Sequence, residues 1–300
     1  MQTPSPTPRV LRRVLSGPLA ALLVLALALT GRGAEVKVLS GLAYKEGPGI
    51  DAYEKERCQL DLYLPAGTKN FPTLVWFHGG GLKNGNRDEK NTVAEVRSLA
   101  AAGVAVASAS YRLSPKVNFP AYLQDAAAAF AWTKRQIASH GGDATRVFIG
   151  GHSAGGYLAL MVGLDPRYLR EAGLDLSALA GVIPFSGQTM DHYTVREERK
   201  IGRYSVTAGE AAPVFFARKD TPPLLVLYAD HDMVARQAEN EYFVEIMKGA
   251  GNPRITGRLI RDRTHGTIAS KMAEDGDPAR EAVLAFIANP AAMMATQQTK

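Results

Sequence analysis

Val147-Phe148-Ile149-Gly150-Gly151-His152-Ser153-Ala154-Gly155-Gly156-Tyr157-Leu158-Ala159-Leu160 is the stretch that decides how the rest of the chain is read. A short apolar run leads into Gly151-His152-Ser153-Ala154-Gly155, a G-x-S-x-G pattern, and a helix-like run follows it. The pentapeptide alone is weak, because a chain with 29 glycines meets it readily by chance. Its setting between a strand and a helix gives it content. A serine on a sharp, strained turn projects its hydroxyl above a sheet, and small flanking residues let strand and helix approach closely. Ser153 is therefore the candidate nucleophile.

Outward from this point, β-rich runs alternate with helix-length segments. Strands are expected at Leu60–Leu64, Thr73–His78, Val104–Tyr111, Val147–Gly151, Gly181–Phe185, Leu224–Tyr228 and Thr256–Ile260. Several are nearly continuous apolar runs, as strands buried on both faces of a parallel sheet should be. Helices are expected at Asp88–Ala102, Pro120–Ser139, Ala154–Gly163, Ala235–Gly249 and Pro278–Ala288. The alternation predicts an α/β fold with a mostly parallel central sheet and helices on both faces. No Pro/Gly/Ser-rich linker divides residues 34–300, which read as one domain. Gln188 to Ala212 breaks the alternation and is either a surface excursion or a small cap over a pocket.

His78-Gly79-Gly80-Gly81 follows the second apolar run and is the more specific signal. Three glycines allow unusual backbone angles and leave N–H groups bare, which suits the oxyanion of an acyl-transfer intermediate. Gly80 and Gly81 are the expected donors, with Gly79 as alternate, joined by Ala154 next to the nucleophile. No Gly-Lys-Ser/Thr follows and no G-x-G-x-x-G is formed, which argues against a phosphate loop. A base and an acid should follow the serine in the order acid, then histidine. Of His192, His231 and His265, only His265 lies after the last expected strand, in a loop leaving the sheet. The acid comes from Tyr228-Ala229-Asp230-His231-Asp232. Either aspartate fits; Asp232, further into the loop, is preferred, with Asp230 as a loop brace. His78 and His152 are read as loop braces.

The first 33 residues have another character. Arg9, Arg12 and Arg13 precede the apolar run Pro18 to Leu29, and small residues follow, the layout of a secretory signal peptide. The run is short for a membrane-spanning helix, the competing reading. Export to a periplasm or the medium is expected, with no stable membrane association once the signal is removed. Residues 1–33 hold four arginines and no acid, so their removal lowers the formal charge from +6 to +2. The basic balance is therefore no footprint for nucleic acid. Arg196, Arg199 and Lys200 among Glu197 and Glu198 read as a solvated, mixed-sign surface. Cys58, the one cysteine, permits no internal disulfide and reads as a buried small hydrophobe in an alternating strand, and no metal-site spacing is present.

With these residues placed, the chain resembles the esterase side of the α/β-hydrolase superfamily, near hormone-sensitive-lipase-like and feruloyl-esterase-like enzymes and kynurenine formamidases. The likeness spans roughly residues 58 to 288. It runs through Leu60-Asp61-Leu62-Tyr63-Leu64-Pro65, His78-Gly79-Gly80-Gly81, Tyr111-Arg112-Leu113-Ser114-Pro115, Phe119-Pro120, Gly151 to Gly156 and Pro222-Pro223-Leu224-Leu225. It implies a Ser153, Asp232, His265 triad, an oxyanion hole at Gly80, Gly81 and Ala154, and ester hydrolysis without metal or organic cofactor. A small-molecule or glycan-linked ester is the implied substrate. An arylformamidase or amidase is the alternative with the same triad, and an inactive binding protein on the same fold is the alternative from another class. Three departures stand out: Leu82-Lys83 where an aromatic is usual, Ala229 for a glycine on the acid strand, and Gly266-Thr267 after the histidine.

Overall fold

The computed structural model describes residue 1 and residues 35–295. The expected export signal lies outside the described residues. Eight strands form one sheet: β1 (Val36–Ala43), β2 (Gln59–Pro65), β3 (Phe71–Phe77), β4 (Ala105–Ala109), β5 (Gly142–His152), β6 (Gly181–Phe185), β7 (Leu224–His231) and β8 (Ile255–Thr264). Their order is β1-β2-β4-β3-β5-β6-β7-β8. The β1/β2 and β2/β4 pairs are antiparallel, and every other neighbouring pair is parallel. The helices are α1 (Ala52–Arg57), α2 (Lys90–Ala101), α3 (Ala121–Gln136), α4 (Ala154–Leu164), α5 (Pro166–Glu171), α6 (Tyr193–Glu198), α7 (Arg236–Gly249), α8 (Thr267–Ser270), α9 (Pro278–Ala288) and α10 (Pro290–Ala295).

Strand alternation divides the core into two layers. Val75 and Phe77 of β3 face α3, α4 and α7, while Leu74 and Trp76 face α2 and α9. Both layers exclude water, so the central strands carry apolar side chains on both faces. Every residue of α4 is buried, which explains why the run after Ser153 lacks a polar stripe. The parallel strands present their carboxyl ends at one edge, where α/β sheets place their ligands. Ser153 follows β5 directly, and Ser186 follows β6.

Two readings are corrected here. Cys58 lies before β2, as the cap of α1, and β2 is buried on both faces rather than alternating. The cysteine is buried as expected. Arg196 is not solvated: it is only 6% exposed, and its guanidinium donates to the carbonyls of Asp191, Arg203 and Ser205. The charged run thus includes an internal clamp. It gathers the Gln188–Ala212 excursion around α6 by satisfying main-chain oxygens that no helix or sheet covers.

Candidate active site

Ser153 sits at φ +55°, ψ −114°, a region that a side-chain-bearing residue occupies only under constraint. Its N–H donates to the Phe185 carbonyl at 2.8 Å, and its own carbonyl accepts from Tyr157 at 3.0 Å. The turn is kept by close approach. A Cβ on Gly155 would stand 2.0 Å from the Phe77 carbonyl oxygen, so α4 meets β3 only over glycine. Ser153 Oγ lies 2.8 Å from His265 Nε2, and His265 Nδ1 lies 2.6 Å from Asp232 Oδ1. Three residues far apart in sequence therefore form one continuous hydrogen-bonded line.

Asp232 is held from several sides. Its Oδ1 also accepts the Met233 N–H at 2.7 Å, and its Oδ2 accepts the Ser186 hydroxyl. Burial alone would raise the carboxyl's pKa, but the bonds from His265, Ser186 and Met233 outweigh it and hold it below the usual value. The carboxylate is thus charged at neutral pH and fixes the His265 tautomer. Asp230 serves the scaffold instead. Its oxygens accept the Asp262 and Arg263 N–H groups at 2.9 and 3.0 Å, tying the β7 end to β8.

Two further histidines brace the loops. His152 Nε2 donates to the His265 carbonyl at 2.5 Å, linking the nucleophile turn to the histidine loop. Burial pushes its pKa down to about 3, so the ring is neutral near pH 7. His78 Nδ1 donates to the Gly79 carbonyl at 2.7 Å, and the ring stacks on Tyr111 at 4.4 Å. Burial likewise lowers it to about 3. The remaining histidines stand apart: His192 caps α6 by accepting the Thr194 N–H, His231 is exposed, and His140 closes a short helical turn after α3.

The glycine loop lies against the nucleophile, a Cβ on Gly79 falling 3.4 Å from the Ser153 Cβ. Gly80 adopts φ +103°, and a Cβ there would stand 2.2 Å from the Asn84 carbonyl oxygen. The Gly80 carbonyl turns the loop by accepting the Lys83 and Asn84 N–H groups, and Gly81's accepts the Thr194 hydroxyl at 2.6 Å. Among the described residues the N–H groups of Gly79, Gly80 and Gly81 find no acceptor. Ala154 N–H, in the first turn of α4, is an orphan donor of the helix. Such an arrangement can activate a hydroxyl and receive a developing oxyanion.

Sequence reasoning missed Ser186. A Ser-Gly pair closing an apolar strand was the available signal, but its partner, Asp232, comes from another strand. Two clusters have metal-ligand proximity among the described residues: Glu54-Cys58-Asp125 and Asp230-His231-Asp262. Lys45 and Arg112 already neutralise the first, and burial pushes the Cys58 thiol up to about 12. In the second, Asp230 is committed to backbone N–H groups.

The BD-FAE family model matches residues 60–247. Esterase LipC of Mycobacterium tuberculosis is 28% identical over 238 residues, covering 73% of this chain and 59% of LipC. Carboxylesterase NlhH of the same organism is 36% identical over 98 residues, 33% of this chain and 30% of NlhH. The chain thus spans well under two thirds of these relatives' length. Among solved structures, a truncated carbohydrate esterase from gut microbiota superposes with a TM-score of 0.69 at 21% identity, over 87% of this chain and 98% of that one. The propionate-bound esterase Est2 of Thermogutta terrifontis gives 0.62 at 25% identity, over 85% and 92%. The first likeness is one of fold, the α/β-hydrolase fold.

Proposed function

The chain belongs to the BD-FAE family, and on that premise we propose that it is a serine-dependent carboxylic-ester hydrolase. The observation that carries the proposal is the line Asp232–His265–Ser153, at 2.6 and 2.8 Å, on a strained turn facing the glycine loop. His265 Nε2 takes the Ser153 proton as Oγ attacks the ester carbonyl. The oxyanion settles on the N–H groups of Gly80, Gly81 and Ala154, each contributing about 3 kcal/mol to the barrier reduction. His265 passes its proton to the leaving alcohol, and water, activated by the same imidazole, releases the acid. Asp232 stabilises the imidazolium between the two steps.

In this reading residues 34–300 are one hydrolase domain and residues 1–33 an export signal leading to a periplasm or the medium. Gln188–Ala212 serves as a small cap, tied to the oxyanion loop by the Thr194 hydroxyl and the Lys83–Glu197 pair. A cap of this size suits short acyl groups and carbohydrate or aryl esters. The test is hydrolysis of p-nitrophenyl acetate. Ser153→Ala should lower kcat by a factor on the order of 10^4 or more, and retained turnover would end the proposal.

A further inference from the structure

A cavity of about 430 Å³ opens beside the glycine loop and His152, on the side of the sheet that carries α2. Gly79 and Gly80 form part of its wall, so it adjoins the place where an ester carbonyl would sit. Its inner wall carries buried polar groups that the reaction above does not use. Glu95 is 6% exposed, and among the described residues its carboxyl makes no ion pair. Beside it the indole N–H of Trp76 is buried without a hydrogen-bond partner, and so is His78 Nε2. Because His78 Nδ1 donates to the Gly79 carbonyl, Nε2 is the bare, accepting nitrogen. Buried polar atoms are nearly always paired, so a donor and an acceptor left open on one cavity wall point to a ligand.

The donor set describes that ligand. Among the described residues no lysine or arginine lines the cavity, so an incoming carboxylate would meet no cation there. Burial pushes the Glu95 pKa up to about 8. Near pH 7 this group is mostly a neutral acid, offering one O–H and one carbonyl; the other carboxylate of the lining, Glu89, is exposed to solvent, away from the buried wall. A hydroxyl matches all three groups: it donates to the His78 nitrogen and accepts from the indole or the acid.

We propose that this cavity is a substrate subsite for a neutral, hydroxyl-bearing group of the ester, recognised by Glu95, Trp76 and His78. The proposal rests on the ester-hydrolase reading and adds the polarity of one half of the substrate. The hydroxyl can belong to the acyl or to the alcohol half, and two substrate pairs separate them. Phenyl glycolate against phenyl acetate varies the acyl half; glycerol monoacetate against ethyl acetate varies the alcohol half.

The wild-type protein should prefer the hydroxylated member of one pair by about tenfold in kcat/KM after correction for intrinsic reactivity. Glu95→Leu should bring that ratio close to one, and Glu95→Gln, which keeps a donor and an acceptor, should retain most of it. Fluorophosphonate labelling of Ser153 reports that each variant is folded. Should Glu95→Leu fail to label, Thr92→Val, which strips a hydroxyl from the same wall, is read instead, with a loss of about twofold to threefold. Equal rates within both pairs for the wild-type protein, or a preference that survives Glu95→Leu, would overturn the subsite while leaving ester hydrolysis intact. No turnover of any of the four esters by unlabelled wild-type protein, from a preparation of which a separate sample labels, would remove the hydrolase reading, and the subsite with it.

Discussion

Ser186→Ala isolates one atom of the site. Ser186 is fully buried, and its hydroxyl donates to the Asp232 oxygen that does not face His265. The substitution keeps the Cβ, the positive φ of 48° and the N–H bond to the Leu227 carbonyl, so it removes the hydroxyl and little else. Water has no easy route to replace it. Asp232 then retains the Met233 N–H and His265. A hydrogen bond to a charged group contributes about 1.5–3 kcal/mol. If the imidazolium state uses most of that, kcat/KM on p-nitrophenyl acetate should fall by roughly tenfold to one hundredfold. The sign in pH follows. Asp232 is held below its usual value partly by this hydroxyl, so its loss raises the carboxyl's pKa. Stability from a depressed carboxylate is present above its unfolded pKa and lost as pH falls through the folded one, so acid unfolding of the variant should begin at higher pH. Rates across pH 5–9 and acid titrations followed by circular dichroism test both. A variant within twofold of wild type in kcat/KM would show that Asp232 needs no second donor.

Asp232→Asn should cost about 10^4 in kcat by favouring the wrong His265 tautomer, while Asp230→Asn should leave kcat within about tenfold and lower thermal stability through the weakened β7–β8 tie; equal losses in rate would refute the assignment. Gly155→Ala drives a methyl to 2.0 Å from the Phe77 carbonyl and should destabilise by about 3 kcal/mol or more, whereas Gly249→Ala, with nothing within 4 Å, should be neutral or slightly stabilising in thermal melts. His78 and His152 are neutral when folded down to about pH 3 but protonate near 6.5 when unfolded, so each adds stability that rises with pH by about 1.4 kcal/mol per unit across that window. Glu95, raised from 4.5 to about 8, acts in the opposite sense and weakens the fold as pH climbs toward 8; urea midpoints should fall between pH 6.5 and 8, and Glu95→Gln should flatten that decline.

What could be read in advance follows from how each feature is encoded. The central strands announce themselves because burial on both faces demands unbroken apolar runs, as in Leu224–Leu227, all fully buried. β1 went unread for the opposite reason. As an edge strand paired only with β2, it is half exposed, and Lys37, Ser40 and Gly41 dilute its pattern. Ser153, Asp232 and His265 were legible because the fold places them after β5, β7 and β8 in a set chain order. Ser186 and the His152 link were not, since each acts through a partner more than 40 residues away, at separations of 46 and 113. Arg196 shows the same limit from another side. A charged run looks solvated in one dimension, and only the folded excursion reveals the three carbonyls that converge on its guanidinium. Local chemistry therefore marks the atoms that react, while the atoms that hold them in place are specified by tertiary neighbours. The Glu95 wall belongs to the second kind: a glutamate in an ordinary helical run becomes a neutral acid only because the packing of α2 on the sheet buries it.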